Sequence, residues 1–217
     1  MRSSPFSSVS ERGASLPSGI YAIIDAAVST EPLTMLDAVL TAGVRIVQYR
    51  AKPGVDRALV HTMHAITAAV DARLIVNDDF EAALDADGWH GGQEDIAQRD
   101  LAATRSLLGD RLWGVSCGTP EEARLAEAAG ADYVGTGPFA STVTKSDAGA
   151  PIGVAGLAAV IAAVRIPVVA IGGIDASNLA RVAQSGARMA AVISAIARTD
   201  DPRAMTEQLV RVWAAAR

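Results

Sequence analysis

Short apolar runs alternate with longer Ala-rich stretches from residue 19 to the end of the chain. The apolar runs are continuous, with no regular polar alternation, which is typical of parallel strands covered by helices. Between them, helical stretches end at Gly43, Gly130 and Gly186, because glycine readily takes the left-handed conformation that stops a helix. The runs predict strands at residues 20–25, 45–50, 73–78, 88–92, 112–117, 133–138, 167–173 and 189–195.

Eight strands, each followed by a helix, predict an α/β chain with the (β/α)8 architecture of a TIM barrel. An open doubly wound sheet is the alternative, but it seldom has eight regular units. We expect residues 19–217 to form one catalytic barrel domain, in which residues 95–109 make a single helical stretch. In such a barrel the functional residues lie where strands end and the following loops begin.

The first 18 residues are polar and Ser-rich, and we expect a disordered leader. They have no apolar central region, so a secretory signal is not predicted, while a transit peptide remains the alternative. No apolar run reaches the roughly 18 residues that would suggest a membrane span.

Composition limits the core and the partners. Half of the residues are hydrophobic but only 4% are aromatic, so Ala, Val, Ile and Leu must form the core. The formal net charge is −5 and no basic stripe occurs, which argues against a nucleic-acid partner. The single cysteine, Cys117, excludes an internal disulfide and favours a reducing cytoplasm. A homo-oligomer remains open.

Carboxylates follow two neighbouring strands. Asp78 ends the third predicted strand and Asp95 lies just past the fourth, so both are expected at one rim of the barrel. A carboxylate pair suits Mg²⁺, which keeps some waters and takes substrate phosphates as further ligands. The alternative role is helix capping, which we favour for Asp79 but not for the Asp78–Asp95 pair.

Basic residues are expected at the same rim. Arg50 and Lys52 share one strand face with Gln48, and Lys145 lies in the loop after the sixth strand. Three cations beside a carboxylate-bound Mg²⁺ match the charge of a diphosphate ester, about three negative charges. Asn77 and Ser116 add hydrogen-bonding groups there.

A second anion site is predicted after strands seven and eight, where Gly172 and Gly173 lie at the end of strand seven and residues 192–195 end strand eight before a short helical turn. Loops in this position commonly bind phosphate through backbone N–H groups. His90 lies at a strand end, where a role in the site and packing in the core are equally compatible with the sequence. No Ser–His–Asp arrangement is recognisable.

The chain resembles the thiamine-phosphate synthases over about residues 19–215. The matching stretches, in family order, are QYRAK, VNDD, HGGQED, GVS, ADYVGTGP, TVTK, AIGGI and VISAI. The resemblance implies a (β/α)8 enzyme that joins hydroxymethylpyrimidine diphosphate to thiazole phosphate and releases pyrophosphate, by departure of the diphosphate before the thiazole nitrogen attacks.

The resemblance also implies roles for individual residues. Asp78 and Asp95 would hold Mg²⁺, and Arg50, Lys52, Ser116 and Lys145 would act in catalysis. Contacts to the pyrimidine diphosphate would come from Gln48, Arg50, Lys52, Asn77, Ser116 and Lys145. Contacts to the thiazole phosphate would come from Thr142, Thr144, Gly173, Ile193 and Ser194.

Four positions depart from the family pattern: Gly118 replaces a frequent His, Ser141 a common Pro, Arg188 an acidic residue and Gly91 an apolar one. The related thiazole tautomerases rely on the His at the position of Gly118, so its absence argues against that alternative. A non-catalytic phosphate-binding barrel is the other alternative, and the presence of Asp78, Asp95 and Lys145 argues against it.

Overall fold

The computed structural model of the protein describes residues 9–52, 54–142 and 149–217. Eight parallel strands form a closed barrel in which every strand pairs with its neighbours in sequence and β8 pairs with β1. The strands are β1 (Gly19–Asp25), β2 (Ile46–Arg50), β3 (Arg73–Asn77), β4 (Gly88–Gly91), β5 (Leu112–Cys117), β6 (Tyr133–Thr136), β7 (Val168–Ile171) and β8 (Met189–Val192).

Helices connect the strands. In chain order they are α1 (Val9–Ala14), α2 (Pro32–Thr41), α3 (Arg57–Ala68), α4 (Phe80–Ala83), α5 (Gln93–Ala97), α6 (Leu101–Leu108), α7 (Pro120–Ala128), α8 (Gly153–Ala163), α9 (Leu179–Gln184), α10 (Ser194–Ala197) and α11 (Pro202–Ala215). Within the described ranges, none of these helices has the length and apolar character needed to cross a membrane.

The (β/α)8 prediction is confirmed, and the strands lie within a few residues of their predicted positions. The largest difference is at the ends of β6, β7 and β8, which stop earlier than expected. β7 ends before Gly172 and Gly173, which have φ angles of 93° and 64° and therefore leave the extended conformation. The predicted single helix over residues 95–109 is wrong, because Asp100 caps a new helix by accepting the N–H of Ala103 (3.0 Å).

Two apolar layers stabilise the barrel. The larger one lies between the strands and the outer helices, and the smaller one, here called the inner layer, fills the barrel itself. Burial of apolar side chains in both layers supplies the main stabilising free energy of such a fold. The inner layer consists of Leu16, Tyr21, Ile23, Ile46, Ile75, Leu112, Tyr133, Val169, Met189 and Ala191.

The segment before β1 closes the amino-terminal end of the barrel. Leu16 is buried in the inner layer, and the guanidinium of Arg12 donates to the buried carboxylate of Asp132 (2.9 Å). Arg188, directly before β8, donates to the carbonyl oxygen atoms of Leu16 and Pro17. The expectation of disorder is therefore wrong for residues 9–18, and residues 1–8 of the expected leader lie outside the described residues.

We predict that Asp132→Ala lowers the free energy of unfolding by about 3–5 kcal/mol, because it removes a buried charge that two guanidinium groups share. Asp132 accepts from Arg12, from Arg105 (2.8 Å) and from the N–H of Trp113 (2.9 Å). Urea unfolding monitored by circular dichroism measures the change.

Glu121→Ala is the control, because it removes an exposed ion pair with Arg124. Such a pair contributes at most about 1 kcal/mol. If both variants lost the same free energy of unfolding, the contacts of Asp132 would not hold the segment before β1 in place.

Candidate functional site

The carboxyl end of β3 turns sharply at Asp78, which has a φ angle of 61°. The N–H of Asp79 donates to the carbonyl oxygen of Asn77 (2.7 Å), which closes a three-residue turn. The backbone of Asp78 is held on both sides, because its N–H donates to His90 O (2.9 Å) and its carbonyl accepts from Trp89 Nε1 (3.1 Å). Left-handed backbone is uncommon outside glycine and typically persists where surrounding contacts enforce it.

The three polar residues at this turn, Asn77, Asp78 and Asp79, make different contacts. Asp79 caps α4 by accepting the N–H of Ala82 (3.0 Å), as the sequence predicts. Asp78 instead directs its carboxylate towards Lys52, whose Nζ lies 3.0 Å from Asp78 Oδ2. Asn77 is half-buried at the end of β3.

Asp95, in the first turn of α5, lies beside Asp78. Its Oδ2 accepts the N–H of Gly92 (2.7 Å), and its carboxyl group is within hydrogen-bonding reach of the Asp78 carboxyl. Burial raises the pKa of Asp95, and the adjacent negative charge of Asp78 raises it further. Two neighbouring carboxylates of this kind are stabilised by a shared proton or by a cation.

The donor set fits a hard divalent cation. Among residues 9–52, 54–142 and 149–217, no group of three or more His, Cys, Asp or Glu side chains is arranged to hold a metal. A metal at Asp78 and Asp95 would therefore have two protein carboxylates and take its remaining ligands from water and a bound anion. That coordination is characteristic of Mg²⁺.

Arg50 is held by a carboxylate that the sequence analysis missed. Asp25, at the end of β1, is the register partner of Arg50 on β2, and the two side chains form an ion pair. Asp25 is 2% exposed and also accepts the N–H of Ala27 (2.9 Å). The position of Asp25 at a strand end, as for Asp78, was the signal that could have identified it.

Gln48 and Ser116 both belong to the barrel, but they lie in different surroundings. Gln48 is buried and donates to the hydroxyl of Tyr21 (3.1 Å), whereas Ser116 is exposed near the end of β5. His90 packs in the core, which was one of its two alternatives, and a role of His90 in the site stays a prediction. It is buried, and its Nε2 lies 3.0 Å from Ser116 Oγ.

The loops proposed for a second site follow β7 and β8, which are paired neighbours in the barrel. Gly173 tolerates no side chain, because a Cβ there would lie 2.5 Å from the carbonyl oxygen of Ser141. The short helix α10 begins at Ser194, and Ile193 before it provides no side-chain cap. The first N–H groups of such a turn have no partner within the helix. Thr142 directly follows Ser141 in the chain, and Thr144 and Lys145 lie outside the described residues.

The chain matches known proteins over most of its length. The profile of the family described as thiamine monophosphate synthase matches residues 20–196. The chain is 41% identical to the thiamine-phosphate synthase of Chloroflexus aurantiacus, with 88% of this chain and 90% of that protein covered. It is 44% identical to the thiamine-phosphate synthase of Moorella thermoacetica, with 85% and 90% covered.

A solved structure agrees with these relatives. The thiamine phosphate pyrophosphorylase of Pyrococcus furiosus superimposes with a TM-score of 0.79 at 32% identity, covering 91% of this chain and 96% of that one. A more distant structure, a native KDPGal protein, has a TM-score of 0.72 at 19% identity and supports the fold alone.

The burial of His90 predicts a pH-dependent stability. Burial lowers the pKa of His90 from 6.5 to about 4. Between these values the unfolded chain binds a proton that the folded protein does not, so the free energy of unfolding falls as the pH falls. From pH 7.5 to pH 5 this contribution amounts to about 2 kcal/mol.

Urea unfolding of the wild type and of His90→Gln at both pH values isolates this contribution. The variant has no ionisable group at position 90, so we expect its stability to fall by about 2 kcal/mol less over the same interval. An identical pH dependence in the two proteins would mean that the pKa of His90 is the same in the folded and the unfolded state.

Proposed function

The chain belongs to the thiamine-phosphate synthase family, a family of transferases, and we propose that it couples hydroxymethylpyrimidine diphosphate with thiazole phosphate, using Mg²⁺. The products would be thiamine phosphate and pyrophosphate. The observation that carries this proposal is the Asp78–Asp95 carboxylate pair lying beside the ammonium of Lys52 at one rim of the barrel. Conversion of the two substrates to thiamine phosphate by the purified protein is the direct test.

We propose that Asp78 and Asp95 are the Mg²⁺ ligands. Bound there, Mg²⁺ would supply positive charge to the diphosphate oxygen atoms. The raised pKa of Asp95 supports this assignment, because it reflects burial and repulsion between carboxylates that a cation relieves. The left-handed turn at Asp78 supports it as well, since backbone strain is often retained where a side chain must be aimed at a ligand.

Arg50, Lys52 and Lys145 are proposed to bind the diphosphate and to stabilise it as it leaves. The bond between the methylene carbon and the diphosphate oxygen breaks with both electrons passing to oxygen, so negative charge on the leaving group grows. A cation there stabilises the transition state more than the ground state. Asp25 supports this role for Arg50, because the ion pair and the Ala27 N–H restrict where the guanidinium can lie.

The reaction needs no protein nucleophile, because the thiazole nitrogen attacks the methylene cation that remains. The one thiol of the chain agrees with this scheme, since burial raises the pKa of Cys117 to about 12 and keeps it protonated. Catalysis then rests on positioning and on neutralisation of the leaving group. A cytoplasmic location, which we also propose, suits a thiol of this kind.

The second site is proposed to hold the thiazole phosphate. Gly173 brings backbone close to the loop after β6, and the first turn of α10 offers N–H groups at Ile193 and Ser194. Thr142 and Thr144 are assigned to the same phosphate. Since no metal is assigned to this site, its binding should be independent of Mg²⁺.

A tautomerase function has less support. Gly118 carries no group for proton transfer, and its N–H donates to Glu122 Oε2 (2.6 Å). A non-catalytic barrel is likewise disfavoured, because a phosphate-binding protein would not require a cation-binding carboxylate pair.

We predict that Asp78→Asn and Asp95→Asn each lower turnover on the order of 100-fold and that excess Mg²⁺ recovers part of it. Steady-state formation of thiamine phosphate at several Mg²⁺ concentrations measures both effects. Asp79→Ala is the matched control, because Asp79 caps α4. It should keep full turnover and lose about 1 kcal/mol of stability. Loss of turnover in Asp79→Ala but not in Asp78→Asn would reverse the assignment.

We also predict that Ser194→Asp weakens binding of thiazole phosphate at least about tenfold, because a carboxylate next to the phosphate repels it. Calorimetric titration should show Mg²⁺-dependent binding of pyrophosphate unchanged. Ser106→Asp introduces the same charge on the exposed face of α6 and serves as the control. Equal loss of both ligands would indicate a damaged barrel, and unaltered binding of thiazole phosphate would place its site elsewhere.

A further inference from the structure

Five polar side chains form a continuous series of hydrogen bonds through the barrel. Gln48 Nε2 donates to Tyr21 Oη (3.1 Å), and Tyr21 Oη lies 2.9 Å from Tyr133 Oη. Tyr133 Oη lies 3.1 Å from His90 Nδ1, and His90 Nε2 lies 3.0 Å from Ser116 Oγ. We call this series the interior network.

The interior network joins five different strands, β2, β1, β6, β4 and β5. Its first four members are almost completely buried, and only Ser116 reaches solvent. Gly114 on β5 leaves room for the contact between Tyr133 and His90. A Cβ at that position would lie 2.1 Å from Tyr133 Cζ and 2.4 Å from His90 Nδ1, so a larger residue would displace both side chains.

Each link of the network has a direction. The amide nitrogen of Gln48 can only donate, so the Tyr21 oxygen accepts and its single proton is directed to Tyr133. Tyr133 then donates its own proton to His90 Nδ1. A neutral histidine that accepts at Nδ1 carries its proton at Nε2 and donates from there.

The direction is maintained because the two buried tyrosine hydroxyl groups keep their protons near neutral pH, since burial raises the pKa of Tyr21 and of Tyr133. A His90 ring that accepts a hydrogen bond at Nδ1 has no proton on that atom and is therefore neutral. Ser116 Oγ accepts from His90 Nε2, so its own proton must be offered elsewhere. The network thus begins with the Gln48 carbonyl oxygen as an acceptor and ends with the Ser116 hydroxyl as a donor.

We propose that Tyr21, Tyr133 and His90 are positioning residues that orient the Ser116 hydroxyl as a hydrogen-bond donor to the pyrimidine diphosphate. This rests on the proposed function and on the contacts of Gln48 and Ser116 with that substrate, which the family resemblance implies. A Ser116 hydroxyl that is held as a donor favours a substrate whose facing atom is an oxygen or a ring nitrogen with a lone pair. It disfavours a substrate that presents an N–H group at the same place. The inner layer would then contribute to substrate specificity as well as to stability.

The tautomer of His90 is the first test, and it needs no activity. The chain has three histidines, so His61→Gln/His64→Gln on α3 leaves His90 alone. Two-bond ¹H–¹⁵N correlation spectra of this labelled variant at neutral pH distinguish the two ring nitrogen atoms. We expect the proton at Nε2. A proton at Nδ1 would reverse the network and overturn the proposal.

The second test asks whether the network acts through Ser116. Tyr133→Phe removes one hydroxyl and keeps the ring, and we expect kcat/KM for the pyrimidine diphosphate to fall about tenfold, the factor that one hydrogen bond supplies. The KM for thiazole phosphate should not change. In a Ser116→Ala background, Tyr133→Phe should cause no further loss, because the group that it positions is already absent.

Thr206→Val is the matched control, since it removes another buried hydroxyl, which donates to Pro202 O (2.7 Å) on α11. It should leave both substrates' kinetics unchanged. Equal losses from Tyr133→Phe with and without Ser116, or no loss at all in a folded variant, would overturn the positioning role. Absence of synthase activity in the wild type would instead refute the proposed function, while the His90 spectrum would still report the network.

Discussion

Closure of the parallel barrel is the constraint on which the other features depend. Because all strands run in one direction and β8 pairs with β1, all eight carboxyl ends meet at one rim. Asp25, Arg50 and Asp78 are distant in sequence but lie on three adjacent strand ends. The register also decides which partners meet, since Asp25 stands directly opposite Arg50.

Along the axis of the barrel, the contacts between interior side chains change from apolar packing with a buried ion pair to hydrogen bonds between polar groups. At the amino-terminal end, Leu16 and the Arg12–Asp132 pair seal the barrel with apolar packing and a buried ion pair. Towards the rim, Tyr21 and Tyr133 still pack as large side chains but turn their hydroxyl groups to one another. Buried polar groups carry a free-energy penalty unless they are paired, and here each hydroxyl has partners on both sides.

The sequence was sufficient for the architecture and for most of the rim, because both follow from periodicity and from strand ends. It was insufficient for the interior network. Continuous apolar runs do not reveal which side of a strand faces inwards, so Tyr21 and Tyr133 were indistinguishable from ordinary core residues. The same limit hid Asp25, whose importance comes from its register with Arg50, and the anchoring of residues 9–18, which depends on Asp132 more than a hundred positions away.

The ion pairs at the rim bear on how an anion would enter. Among the described residues Arg50 is paired with Asp25 and Lys52 with Asp78, so three carboxylates, including Asp95, face two cations. A diphosphate approaching this arrangement alone would meet excess negative charge and would have to compete with Asp78 for Lys52. In the proposed function, a divalent cation on Asp78 and Asp95 would reverse that balance and release Lys52 towards the anion. The carboxylates would then both hold the cations in position and make anion binding depend on the metal.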